Sequence, residues 1–113
     1  MYKMDKYKSL KRTTLDNMDD LPHYGVYIIA YMGRVLYVGK ANDSVVSRLK
    51  SHLYKCDVED VGGWMFKVRD DWHNVRLDVL EPPDEGDVDV WLKGAEAACV
   101  RQFNPLFNTK LMA

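Results

Sequence analysis

Between Gly25 and Gly39 the chain reads Gly-Val-Tyr-Ile-Ile-Ala-Tyr-Met-Gly-Arg-Val-Leu-Tyr-Val-Gly, two runs rich in β-branched and aromatic residues parted once, at Met32-Gly33. Two such runs about a turn's width apart predict a β-hairpin. The loop then decides which side chains share a face. A two-residue turn would put Met32 at positive φ, which a non-glycine residue resists. A three-residue loop, Tyr31-Met32-Gly33, asks only Gly33 to enter the left-handed region, where glycine is at ease. The sequence therefore predicts the longer loop, with Ala30 facing Arg34 and Tyr27 directly opposite Tyr37. A slip by one residue would send the two phenols to opposite faces of the sheet.

The hairpin runs straight into a predicted helix. Asn42-Asp43-Ser44 supplies N-cap oxygens for its first N–H groups, and Val45, Val46, Leu49 and Leu53 recur at helical spacing toward the core. Arg48 and His52 are four residues apart and so stack on one flank. Hairpin and helix together would present Tyr27, Tyr37, Lys40, Arg48 and His52 to one cleft. Singly, each has a plainer explanation: a tyrosine in a strand core, an arginine on the surface, a histidine in a polar contact.

Further along, Val61, Met65, Val68 and Trp72 predict a helix within residues 56–74. Two features oppose it: Trp64, Phe66 and Val68 also alternate like a strand, and Gly62 and Gly63 each cost a helix about 1 kcal/mol. Val75–Leu80 is expected as a third strand with Val75, Leu77 and Val79 on one face, and the prolines of 81–86 make a loop. Asp87 or Asp89 should cap a final helix. Its buried stripe would be Val88, Trp91, Leu92, Ala95, Cys99 and Phe103, and Asn104-Pro105 would stop it. Glu96 lies at the edge of that stripe, where a carboxylate is costly unless it is paired, with Lys93 or Arg101, or bound to a cation.

The chain has 113 residues, 47% of them hydrophobic, enough for one small domain with its own core. Residues 1–20 are expected to be an N-terminal arm or a docked extension, and 21–113 the domain itself. No apolar run approaches the ~20 residues of a membrane span, and no secretory leader is expected. Cys56 and Cys99 have no metal-ligand spacing; Cys99 falls on an apolar helix face as a reduced thiol, which predicts a cytoplasmic setting. The net charge of −1 conceals a polarised chain: residues 33–55 carry about +4 and residues 56–90 about −8. A polyanion would meet a basic patch at the hairpin and the Arg48 helix.

Taken as an ordered set, Gly25-Val-Tyr27, Tyr37-Val-Gly39, Arg48, His52, Glu96 and Pro105-Leu-Phe-Asn108 resemble a GIY-YIG nuclease domain, over roughly residues 23 to 110. Val26 and Val38 stand where the family name has isoleucine, a β-branched exchange. The resemblance implies an α+β fold with a three-stranded, mostly antiparallel sheet flanked by helices. It also implies an endonuclease that hydrolyses phosphodiester bonds in nucleic acid, DNA ahead of RNA, using Mg²⁺ or Mn²⁺. Glu96 would be the metal ligand and Tyr27 the general base, with Tyr37, Arg48 and His52 completing the catalytic set. Lys40, Lys50 and Asn108 would bind substrate, and Asn108 has the alternative role of locking the C-terminal segment to the core. A phenol titrates near ~10 in water, so Lys40 and Arg48 are expected to lower that of Tyr27. A chain this short would take its specificity from loops, a homodimer or a partner protein. The competing readings are an inactive nucleic-acid-binding module of the same fold, and a protein-interaction domain using the acidic segment.

Overall fold

A computed structural model describes residues 10–20, 24–55, 61–83 and 86–108. Residues 1–9 of the expected arm, and Cys56, lie outside that set, as do the side chains of Leu53–Lys55. Four strands form one antiparallel sheet: β1 (Leu10–Thr14), β2 (Gly25–Tyr31), β3 (Arg34–Ala41) and β4 (Val75–Leu80), in the order β1-β4-β2-β3. The sheet therefore has four strands rather than the expected three. The extra one comes from the N-terminal extension, which docks on β4 with Arg12 opposite Asp78. Arg12 reaches the fully buried Asp78 carboxylate at 3.6 Å, so the pairing supplies a cation to an acid that could not be buried alone.

Alternation along the strands sorts the apolar residues into two cores. Tyr27, Ile29, Tyr37, Val75, Leu77 and Val79 face α1 (Val45–Lys55), α2 (Val61–Lys67) and a 3₁₀ segment, Leu15–Asp20. Val26, Ile28, Val35, Val38 and Leu80 face α3 (Val88–Phe103), which contributes Leu92 and Cys99. The sheet is thus the middle layer of three. The Gly25 position is dictated by strand packing, because a Cβ there would lie 2.5 Å from the Leu80 carbonyl oxygen on β4.

The hairpin differs from expectation in an instructive way. Its turn has two residues, with Met32 at φ 54° and Gly33 at φ 80°, and Tyr31 pairs with Arg34. A turn with two positive φ values matches the right-handed twist of the flanking strands. That match outweighs the cost of roughly 1 kcal/mol for Met32 in the left-handed region. By itself this turn would have put Tyr27 and Tyr37 on opposite faces. A bulge prevents it: Ala30 pairs with Val35 but Ile29 pairs with Tyr37, leaving Leu36 as the extra residue. The bulge restores both phenols to one face, as diagonal neighbours rather than directly opposite, with ring centroids 6.0 Å apart.

The helices follow the sequence closely. Ser44 caps α1 by accepting from the Ser47 N–H at 3.1 Å, and Val45 and Leu49 are buried. α2 covers Val61–Lys67 and gives way to a 3₁₀ segment, Arg69–Asn74, so the expected helix stops short of Val68 and Trp72. Both glycines of α2 are buried. Asp87 caps α3, accepting from the Val90 N–H at 3.1 Å, and Asn104 ends it in the left-handed conformation. Val88, expected in the buried stripe, is exposed, because the first turn of α3 lies beyond the sheet's cover. Cys99 is buried and in no disulfide. Among the described residues no helix is long and apolar enough to cross a membrane.

Candidate functional site

The Tyr27 phenol sits where it does because Gly39 has no side chain. The two residues pair across β2 and β3, so their side chains would share a face. A Cβ on Gly39 would lie 2.4 Å from both Cζ and the hydroxyl oxygen of Tyr27. Without it, the ring lies flat over β3, the edge strand, and its hydroxyl is carried toward the sheet's margin. There it meets α1: the hydroxyl lies 3.2 Å from His52 Nε2, and the Arg48 guanidinium is close enough to pull its pKa down. The His52 ring also stands edge-on to Tyr37, centroids 5.2 Å apart. Tyr27, Tyr37, Arg48 and His52 are therefore one cluster, as their spacing in sequence suggested.

The electrostatics of that cluster overturn one expectation. Burial pushes the Tyr27 phenol well above its ordinary value, and the neighbouring Tyr37 adds to the rise. Arg48 pulls the other way without cancelling either effect, and Lys40 plays no part. Desolvation wins because a phenolate inside a packed core has lost water on every side, while one partly exposed guanidinium returns only a fraction of that stabilisation. Tyr27 is a neutral phenol at neutral pH.

Glu96 reaches the same margin from the opposite layer. It lies on α3, half-buried, and burial holds its carboxyl above the usual range against the pull of Lys40 and Arg48. It forms no ion pair with Lys93 or Arg101 among the described residues. The end of β3 is thus a partition, with the phenol cluster on one side and the carboxylate on the other. Beside it opens a cleft of about 330 Å³ lined by Lys40, Asn42, Arg48, Asp89, Leu92 and Lys93 among others.

Two expected substrate residues stand elsewhere. Lys50 faces away and pairs with Asp19 at 3.5 Å, since it is two residues from Arg48 and helical geometry puts it on another flank. Asn108 is buried, and both ends of its amide engage the Val38 backbone. Oδ1 accepts from the N–H, and Nδ2 donates to the carbonyl, each at 2.8 Å. It occupies the place of a neighbouring strand on the open edge of β3, so its role is to lock the C-terminal segment to the core. Lys93 is a cleft residue that the sequence reading missed, although its spacing of three from Glu96 was a usable signal.

Among the described residues no three histidine, cysteine or acidic side chains converge. A divalent cation at Glu96 would rest on one carboxylate and water, a donor set that suits Mg²⁺, which keeps most of its waters. The half-buried carboxylate also fits, because a bound cation would relieve its desolvation. Comparison with family models, curated proteins and solved structures gave no match.

Proposed function

We propose that the chain is a GIY-YIG-type endonuclease domain that hydrolyses phosphodiester bonds in nucleic acid, DNA ahead of RNA. One observation carries the reading: Tyr27, His52 and Arg48 from one layer, and Glu96 from the other, meet at the end of β3 beside a cleft with three cations. A structural core has no need of a histidine on a phenol with an arginine beside it, nor of a half-buried carboxylate with no ion pair among the described residues.

The chemistry follows from the neutral phenol. Tyr27 cannot remove a proton from water as a pre-formed phenolate, but once substrate binding brings the attacking water to its hydroxyl, buried in the free protein, it can relay one. As water attacks the phosphorus, its proton passes to the Tyr27 oxygen while the phenol's own proton moves to Nε2 of a neutral His52, 3.2 Å away. No phenolate has to persist in the core. Arg48, beside the same hydroxyl, has a planar fork suited to two phosphate oxygens and the charge that grows on them. Tyr37 holds the His52 ring edge-on. Glu96 would hold the divalent cation, which when bound supplies Lewis acidity for the phosphate and the departing 3′-oxygen.

The test is incubation of the purified protein with Mg²⁺ and plasmid, single-stranded DNA or RNA, at low and high salt. Cleavage of at least one substrate, lost in Glu96→Gln and on chelation, is expected. A wild-type protein that leaves all three intact, while its partner screens return a protein bound through residues 56–90, would favour the interaction-domain reading.

A further inference from the structure

The cleft at the end of β3 is larger than one phosphate needs, and its lining includes both Arg48 and Lys93. Its three cations come from three elements: Lys40 from β3, Arg48 from α1 and Lys93 from α3. They are not equivalent. Lys40 and Arg48 come from the sheet and from α1 and pull against the rise in the Glu96 pKa, whereas Lys93 comes from α3, the helix that carries Glu96. Lys93 lies on the α3 wall of the cleft, with Asp89 and Leu92. Its charge is not consumed locally. No carboxylate among the described residues lies within ion-pair distance of it, and Asp43 on the facing wall is turned onto the Ser44 N–H at 2.7 Å. The other lining acid, Asp89, sits four residues before Lys93 on α3. An exposed helical pair of that spacing is weak, so a phosphate would displace it.

We propose that Lys93 is a substrate-positioning residue that holds a second phosphate of the strand, next to the one cut. The inference rests on the nuclease reading and extends it. The site grips two consecutive phosphates, one by Arg48 and one by Lys93, and so acts within a chain rather than on a terminal phosphate. An ammonium suits this role, being a compact point charge that follows a backbone without dictating a base.

The experiment is single-turnover cleavage of a duplex substrate by wild-type, Lys93→Ala and Lys93→Arg protein, over a range of protein and salt concentrations. Losing one phosphate contact lowers the slope of log affinity against log salt by about 0.9. Between 50 and 200 mM salt, the wild-type protein should therefore lose about 3.5-fold more affinity than Lys93→Ala. The half-saturating concentration should carry the effect, with a much smaller change in the rate at saturation, and Lys93→Arg should restore most of it. Duplexes carrying a single neutral methylphosphonate at successive positions then locate the contact. One position flanking the cut should weaken wild-type binding yet have no effect on Lys93→Ala. If every position weakens both proteins equally, or the salt slope is unchanged, the proposal fails while the nuclease reading stands. A wild-type protein that neither binds nor cuts the unmodified duplex overturns the proposal, and one that also leaves single-stranded DNA and RNA intact overturns the nuclease reading with it.

Discussion

Replacing Gly39 by alanine adds one methyl group at the point on which the site depends. The new Cβ would lie 2.4 Å from the Tyr27 ring and hydroxyl, far inside van der Waals contact. The ring has little room to yield, because Tyr27 is fully buried, flanked by Tyr37 and tied to His52. Overpacking of this kind costs about 1–3 kcal/mol, and the rigidity of the ring argues for the upper half. For a chain of this size that is a fall in Tm of roughly 4–12 °C. Function should suffer more than stability. A displacement of about 1 Å breaks the Tyr27–His52 hydrogen bond, and misplacement on that scale costs about 10²-fold in rate. Thermal and urea unfolding followed by circular dichroism reads the first effect, and a double-mutant cycle assigns its cause. In a Tyr27→Ala background, whose cavity leaves space for the methyl, Gly39→Ala should cost almost nothing. Equal destabilisation in both backgrounds would refute the close approach of Tyr27 to Gly39.

Asn108→Ala strips two backbone partners from Val38 on the edge strand and should cost about 2–6 kcal/mol, since each buried group left unsatisfied costs about 1–3; urea unfolding measures it, and a loss of activity at constant stability would reassign Asn108 to the substrate. Met32→Asn should stabilise the hairpin by up to about 1 kcal/mol, because asparagine tolerates the left-handed region that Met32 occupies; a lower Tm would contradict the two-residue turn. Glu96→Gln should raise Tm at neutral pH. The folded-state pKa of Glu96 lies above its unfolded value, so its contribution to stability is greatest at acid pH and is lost as pH rises through the folded pKa. The gain from Glu96→Gln should therefore vanish at low pH, where the carboxyl is protonated in both states, and a gain independent of pH would contradict that sign.

Much of this fold could be read from residues alone, and the failures have physical causes. Strands β2, β3 and β4 declared themselves through alternating β-branched and aromatic residues, and α1 and α3 through caps and periodicity. The hairpin register could not be read. A disfavoured Met32 conformation and the bulge at Leu36 offset each other's effect on facing, and a bulge leaves no mark in composition. β1 was ambiguous because Leu10–Thr14 is polar on an edge, and only the buried Asp78 on a distant strand gives Arg12 a reason to dock. The members of the phenol cluster were legible because their offsets are local: four residues along one helix, and one face of one hairpin. The sign of the Tyr27 shift was not, because desolvation depends on packing from α1 and from Tyr37. Lys50 was misplaced for want of the 3₁₀ segment bearing Asp19, and Asn108 was resolved only once β3 proved to be an edge.

A proton relay at Tyr27 that serves phosphodiester hydrolysis is the central claim about this site. Single-turnover cleavage of one oligonucleotide with Mg²⁺, by wild-type, Tyr27→Phe and His52→Gln protein across pH, tests it most directly. Both variants should remain folded and lose about 10²–10⁴-fold in rate. The double variant should lose little more than either alone, because the two residues move one proton between them. Near-normal cleavage by Tyr27→Phe, or losses that multiply in the double variant, would contradict the relay.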